Sequence, residues 1–271
     1  MVTEELLKLC TFNCRGLGQH SKRRTVFHWL RKCHNGIVFL QETHCTEALE
    51  SYWRKDWKGH VFFSNGSSSA RGVATLLSDK LDIQVNNIVT DNSGRFLLLD
   101  TTFDGQSIIL VNIYAPTKDD SSAQCDFIDF IHDTLIEYSD NNLFVGGDFN
   151  ICLEPDIDKK GGLVENQSRS AIKLIAMQDD FNLIDIWRFL NPVSRRYTRR
   201  EMCRGGLVQS RLDFWLVSSH LLYDFYTQDI CPGIKSDHSL VSLQLKIKCT
   251  QQKGRGFFKF NSTLFKGQGL H

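Results

Sequence analysis

The chain has 271 residues, is 41% hydrophobic and 23% charged, and carries a net charge of +1. That length holds one large α/β domain or two small ones, and the apolar content makes it globular rather than disordered. A charge near zero excludes a uniformly basic nucleic-acid coat and leaves room for a local basic patch.

The expected elements alternate short apolar runs with polar, glycine-containing connectors. Strands are expected at 6–12 and 37–41, with a helix over 22–33 between them, where Val26, Phe27 and Leu30 recur at helical spacing. Further strands are expected at 61–64, 72–77, 96–102 and 107–114, the last stopped by Ala115-Pro116. A helix over 127–138 precedes a strand at 143–147, and a second helix covers 171–178. Segments 197–201 and 212–217 read as the two strands of a hairpin around Gly205-Gly206, and 239–247 is the last clear strand. Strands outnumber helices, a pattern suited to two packed sheets with helices outside. Beyond Lys248 the composition turns to Gly, Lys and Phe without a period, so 1–248 reads as the domain and 249–271 as a tail.

The nine cysteines are odd in number and include no Cys-x-x-Cys pair, which argues for reduced thiols in an intracellular compartment. No apolar run of about 18 residues occurs and the first eight residues lack an apolar signal core, so neither a membrane span nor a secretory leader is expected.

One feature recurs: apolar strands end in acidic or amide residues. Asn13 follows Phe12, Glu42 follows Gln41, Asp148 and Asn150 follow Gly147, Asp213 follows Leu212, and Asp237-His238 precedes the last strand. Open α/β sheets place ligand sites at such ends, and converging carboxylates repel unless a hard cation joins them. Taken singly, each has a plainer reading. Asn13 fits a turn, Glu42 a helix start, Asp148 and Asn150 an Asx-turn, and Ser236-Asp237-His238 an N-cap. The recurrence in one order along the chain favours a shared site.

At this point the sequence resembles the exonuclease–endonuclease–phosphatase superfamily, whose fold is shared by DNase I and the apurinic-site endonucleases. The matching stretches are Thr-Phe-Asn (11–13), Leu-Gln-Glu-Thr (40–43), Val-Asn-Ile-Tyr-Ala-Pro (111–116), Gly-Gly-Asp-Phe-Asn (146–150), Arg-Leu-Asp-Phe (211–214) and Ser-Asp-His (236–238). Within it, the chain is most similar to the endonuclease domain of non-LTR retrotransposons of the long interspersed element type. Gln-Glu-Thr-His (41–44), Asn-Ile-Tyr-Ala-Pro-Thr (112–117) and Asp-Asp-Phe-Asn-Leu-Ile-Asp-Ile-Trp (179–187) carry that likeness. The segment 254–265 resembles the linker towards a reverse transcriptase. The implied fold is a four-layer α/β/β/α sandwich of two mixed sheets flanked by helices.

The resemblance implies a Mg²⁺-dependent endonuclease, with Mn²⁺ as substitute, that leaves a 3′-hydroxyl and a 5′-phosphate. The hydroxyl would prime reverse transcription on double-stranded DNA in the nucleus. Glu42, Asn13 and Asp237 would hold metal. Asp148 and Asn150 would position and activate water, His238 and Tyr114 would bind the phosphate, and Asp213 would keep His238 oriented and protonated. Arg15 stands where some repair relatives carry a carboxylate, so one dominant metal is expected, with Arg15 towards phosphate or solvent.

Six arginines and one acid lie between Arg195 and Arg211, the strongest basic cluster in the chain. It reads as a solvated hairpin or as one that enters a DNA groove. The likeness assigns Arg196, Thr198, Arg200, Arg204, Ser210, Arg211 and Ser236 to DNA; Lys159 and Lys160 are further candidates. Three alternatives stay open. An apurinic/apyrimidinic-site repair endonuclease shares the catalytic set, although His44 and Ser210 replace residues usual there. A phosphatase of the same fold lacks its own stretches here, and a DNA-binding module with a dead site would have lost residues that are present.

Overall fold

The structure, a computed structural model, describes residues 4–33, 36–162 and 166–248. The expected tail at 249–271 lies outside the described residues.

The first part of the chain runs β1 (Glu4–Asn13), α1 (His20–Cys33), β2 (Ile37–Gln41), α2 (Glu47–Asp56), β3 (Gly59–Ser64) and β4 (Val73–Ser78). Then come β5 (Ile83–Thr90), β6 (Phe96–Phe103), β7 (Gln106–Tyr114), α3 (Ser121–Leu135) and β8 (Asn142–Asp148). The last part holds α4 (Pro155–Asp158), β9 (Lys159–Lys160), α5 (Arg169–Asp180), β10 (Leu183–Asp185), α6 (Ile186–Leu190), β11 (Arg199–Cys203), β12 (Gly206–Ser210), β13 (Asp213–Ser218), β14 (Phe225–Pro232) and β15 (Ser239–Lys248).

Two six-stranded sheets result, ordered β14-β15-β1-β2-β4-β3 and β10-β13-β8-β7-β6-β5, with a small third sheet β11-β12-β9. The β1–β2 and β7–β8 pairs are parallel and the rest antiparallel, so both large sheets are mixed. The alternation of side chains along each strand explains the layers. In β1, Leu7 and Leu9 enter the core between the sheets, whereas Cys10 and Phe12 pack on α1 and α2. In β8, Phe144 faces the other sheet while Leu143 and Val145 pack on α3 and α5. Strands covered on both faces read as continuous apolar runs. The four-layer α/β/β/α sandwich is therefore built from three apolar layers. Gly146 is required where Trp215 crosses β8, because a Cβ there would lie 2.5 Å from the indole ring.

The hairpin differs from its expectation. Arg199–Cys203 pairs not with 212–217 but with Gly206–Ser210 across a two-residue turn, Arg204-Gly205. Asp213–Ser218 belongs to a large sheet between β8 and β10 and is buried on both faces. Two glycines disguised 206–210 as loop. The pairing of Met202 with Leu207 and of Glu201 with Val208 gives it strand character.

Candidate active site

The inner-face residues of several strands change from apolar to polar at one end of the sandwich. Along β1 the series is Leu7, Leu9, Thr11, Asn13; along β2 it is Ile37, Phe39, Gln41; along β7 it is Ile108, Leu110, Asn112, Tyr114; along β8 it is Phe144, Gly146, Asp148. Asp213 heads β13 with the same parity as Trp215. The period-two repeat thus carries these polar groups to one mouth between the sheets.

Asn13 joins two carboxylates there. Its amide nitrogen donates to Glu42 Oε1 at 2.8 Å and to Asp148 Oδ2 at 2.9 Å. On the far side of Asp148, His238 Nδ1 bonds Asp213 Oδ2 at 2.8 Å, and His238 Nε2 lies 4.0 Å from Asp148 Oδ2. Tyr114, opposite Asp148 on the neighbouring strand, lies within reach of the Glu42 carboxylate. Glu42, Asp148, Asp213, His238, Asn13 and Tyr114 therefore occupy one cleft. Asp148 and Asp213 register opposite one another on β8 and β13, and Asp148 lies beside Tyr114 on β7.

The electrostatics follow from that crowding. Burial and then Asp213 raise the Asp148 carboxyl well above the usual carboxylate range. Burial works against charge on His238, but Asp213 beside it, with Asp148 and Asp237 near, outweighs burial and lifts the imidazole to about 9. Burial, then the charges of Glu42 and Asp148, raise Tyr114 and keep its phenol a donor.

The turn readings hold at Asn13, Asp148 and Asn150, whereas no helix begins at Glu42 and the Ser236 turn leads into strand β15 rather than capping a helix. Asp148 Oδ1 accepts from Asn150 N at 3.0 Å, Asn13 Oδ1 accepts from Arg15 N at 3.1 Å, and Ser236 Oγ accepts from His238 N at 3.1 Å. The turns that hold these side chains are part of the site. Asn150 sits at φ 51°, and its amide donates to the Ala115 carbonyl at 2.9 Å.

Asn13 turns its NH₂ towards the two carboxylates, and its oxygen accepts from Arg15 N, so it bridges Glu42 and Asp148. Asp237 Oδ2 is held by Arg15 at 2.6 Å and lies 3.7 Å from Arg199, while its Oδ1 is buried without a partner; the Arg15 side chain is itself largely open to solvent, in keeping with its expected direction. Among the described residues, the acid and imidazole atoms close enough to share one cation are those of Asp148, Asp213 and His238. Glu42 joins them only through Asn13.

Two residues expected at DNA are buried. Arg211 is 0% exposed, forks onto Asp158 at 2.7 and 2.8 Å and reaches Asp185 at 2.6 Å. Thr198, also 0% exposed, accepts at Oγ1 from Leu212 N and Asp213 N. Ser236 donates to Asn13 O at 2.8 Å, a tie between the His238 turn and β1. Arg200 and Arg204 are exposed on the hairpin, and exposed Arg196 donates to Ile230 O. Ser210 faces a groove of about 810 Å³ beside Asn150, lined also by Thr117, Lys159, Ser168 and Arg199.

Sequence reasoning missed the polar layer beneath the site. Gln41 donates to Thr11 Oγ1 at 2.9 Å and to Asn112 Oδ1 at 2.7 Å, and Asn112 donates to Ala74 O, which links the two sheets under Glu42. The inward parity of Thr11, Gln41 and Asn112 was the available signal. Cys14, Cys45, Cys125, Cys152 and Cys203 form no disulfide, and burial lifts the Cys45 thiol to about 12. No helix among the described residues is long and apolar enough to cross a membrane.

Comparison with known proteins agrees with this fold. Residues 10–238 match the family described as the Endonuclease/Exonuclease/phosphatase family. The chain is 33% identical over 270 residues to the transposon TX1 uncharacterized 149 kDa protein of Xenopus laevis, across 97% of this chain and 20% of that protein. The chain thus spans about a fifth of that relative. Three solved structures share the fold. The AP endonuclease LMAP from Leishmania major has a TM-score of 0.71 at 17% identity, covering 89% of this chain and 88% of that one. An AP endonuclease from Archaeoglobus fulgidus gives 0.68 at 22%, covering 88% and 98%. The catalytic domain of Xenopus laevis APE2 gives 0.70 at 17%, covering 90% and 94%.

Proposed function

We propose, from the premise that this chain belongs to the endonuclease/exonuclease/phosphatase family, that it hydrolyses one strand of double-stranded DNA for a mobile element. The observation that carries the reading is the continuous run Glu42–Asn13–Asp148–His238–Asp213 at the mouth of the sandwich. Likeness to a transposon protein supports the element, and the nucleus, where chromosomal DNA lies, as the place of action.

The donor set fits a hard divalent cation. Oxygen ligands dominate, and Asp148 is pushed up by burial and by a neighbouring acid, a repulsion that a cation would relieve. Mg²⁺, with Mn²⁺ as substitute, would be held by Glu42 and would draw charge from the phosphate oxygens. Asp148, ionised and fixed by Asn13 and Asn150, accepts a proton from the attacking water. Water adds to phosphorus while the bond to O3′ breaks and the leaving O3′ takes a proton from solvent, giving a 5′-phosphate and a 3′-hydroxyl. His238, held protonated by Asp213, and the phenol of Tyr114 donate to the phosphoryl oxygens as charge builds. The 3′-hydroxyl would prime a reverse transcriptase carried by the same polyprotein, of which residues 1–248 are the nuclease and 249–271 the connecting tail.

The test is supercoiled plasmid nicking with Mg²⁺ and with EDTA. The nicks are expected only with metal, and a polymerase should extend them without prior phosphatase treatment. Metal-independent nicking, or ends that need dephosphorylation, would overturn the reading. An abasic duplex cut far faster than an intact one would instead identify a repair enzyme.

A further inference from the structure

The groups of the cleft form two rows, one per sheet. On one, His238, Asn13 and Glu42 stand at the ends of β15, β1 and β2, which are adjacent strands. On the other, Asp213, Asp148 and Tyr114 stand at the ends of β13, β8 and β7, also adjacent. Each row continues by one strand, and each next strand brings an arginine. Arg71 precedes β4, and Arg95 immediately precedes β6.

The two arginines are held together. Gly72 N donates to Gly94 O at 2.9 Å, joining the turn that carries Arg71 to the turn that carries Arg95. The first turn is fixed to the strand end of Glu42, since Thr43 N donates to Gly72 O at 2.9 Å and His44 N to Arg71 O at 3.0 Å. Arg71 lies at φ 63° and Gly72 at φ 90°, where a Cβ would strike Thr43 Oγ1 at 2.3 Å. The Arg95 guanidinium lies 5.1 Å from the centre of the Tyr114 ring, and its Nη1 donates to Tyr114 O at 3.1 Å.

No ion pair within 4.0 Å joins either arginine to a carboxylate among the described residues, although the charges of Asp91 and Glu42 reach Arg95. Asp91, beside Arg95, is committed to its own turn: Oδ1 accepts from Arg95 N, Phe96 N and Ser64 Oγ, and Oδ2 from Ser93 N and Ser93 Oγ. Burial, and then the charge of Arg71, outweigh the favourable influence of Tyr114, Asp91 and Glu42 and leave Arg95 below its ordinary value. Two cations held side by side by rigid turns repel, and an anion would relieve them.

We propose that Arg71 and Arg95 form a second phosphate seat, gripping the DNA backbone on the side of the scissile phosphate away from the hairpin. The hairpin leads into β13 at one end of the row and the arginines close the other. Arg95 stands two strand spacings from Asp148, about 10 Å, or roughly three nucleotides of axial rise. A backbone lying along the rows would meet the hairpin on one side of the cut and the arginine pair on the other.

This rests on the proposed nicking activity. The test is binding of the full chain to duplex DNA in EDTA over a KCl series, followed by anisotropy, together with phosphate-ethylation interference. Arg71→Gln and Arg95→Gln should each weaken binding and lower the slope of log affinity against log salt by about 1. Arg71→Lys should keep the wild-type slope, and so should Lys58→Gln, which removes a cation elsewhere on the surface. Interference should appear on both sides of the nick for wild type and fade on one side for Arg71→Gln. An unchanged slope in Arg71→Gln, or an equal loss in Lys58→Gln, overturns the seat while wild-type nicking stands. A wild-type chain that neither nicks nor binds duplex overturns both readings.

Discussion

Two clusters of buried charge lie within one domain and are built differently. At the root of the hairpin, Asp158 and Asp185 meet Arg211 and Arg188 in matched number, with Arg211 forked onto Asp158 and touching Asp185, and Arg188 on Asp158. At the mouth of the sandwich, Glu42, Asp148 and Asp213 meet one imidazole and one amide. The first cluster is compensated within the chain. It anchors α4 and the small sheet against β10 and β13. The second leaves Asp148 raised and Asp213 Oδ1 buried without a partner. Compensated charge holds structure, whereas uncompensated charge is retained where a substrate or ion completes it.

The comparison is broken most severely at the mouth. Asp148→Asn and His238→Ala should each lower the plasmid-nicking rate by about 10²–10⁴-fold, measured at saturating DNA. Loss of less than tenfold in both would remove them from the chemistry. At the hairpin root, Arg211→Met strands buried Asp185, leaves Asp158 with Arg188 alone, and should cost about 3–5 kcal/mol of folding free energy by urea titration. An unchanged midpoint would mean the cluster anchors nothing. Shortening the 203–206 turn tests the module that the root supports. The positions of nicks on a plasmid library should shift while the total rate changes by less than about tenfold, and an identical spectrum would exclude the hairpin from site choice. The smallest effect is metal linkage. Saturating Mg²⁺ should raise the melting temperature of wild type, with about 3 kcal/mol available at a hundred times Kd, and Glu42→Gln should lose most of that rise.

The sandwich and its mouth were legible in the sequence because strands covered on both faces are continuous apolar runs, and because polar residues interrupt them at one end. Ile37–Gln41 has the same limits in sequence and structure. What escaped was of two kinds. Ile83–Thr90 is a largely exposed edge strand whose Gln84, Asn86 and Asn87 carry little apolar signal. Arg211 and Thr198 looked like DNA contacts because a basic cluster gives no sign of which cation is buried, and the partners, Asp158 and Asp185, lie 53 and 26 residues away. Glu42 illustrates a subtler limit. Its place at a strand end is readable, but the φ of 49° that sets its direction is not.

The most direct test takes Asp148→Asn and Arg211→Met side by side, with melting temperature and nicking rate per folded molecule measured on the same preparations. The account predicts that Asp148→Asn melts no lower than wild type yet nicks at background, while Arg211→Met melts much lower and its folded fraction still nicks. Asp148→Asn melting as low as Arg211→Met, with nicking retained, would contradict it.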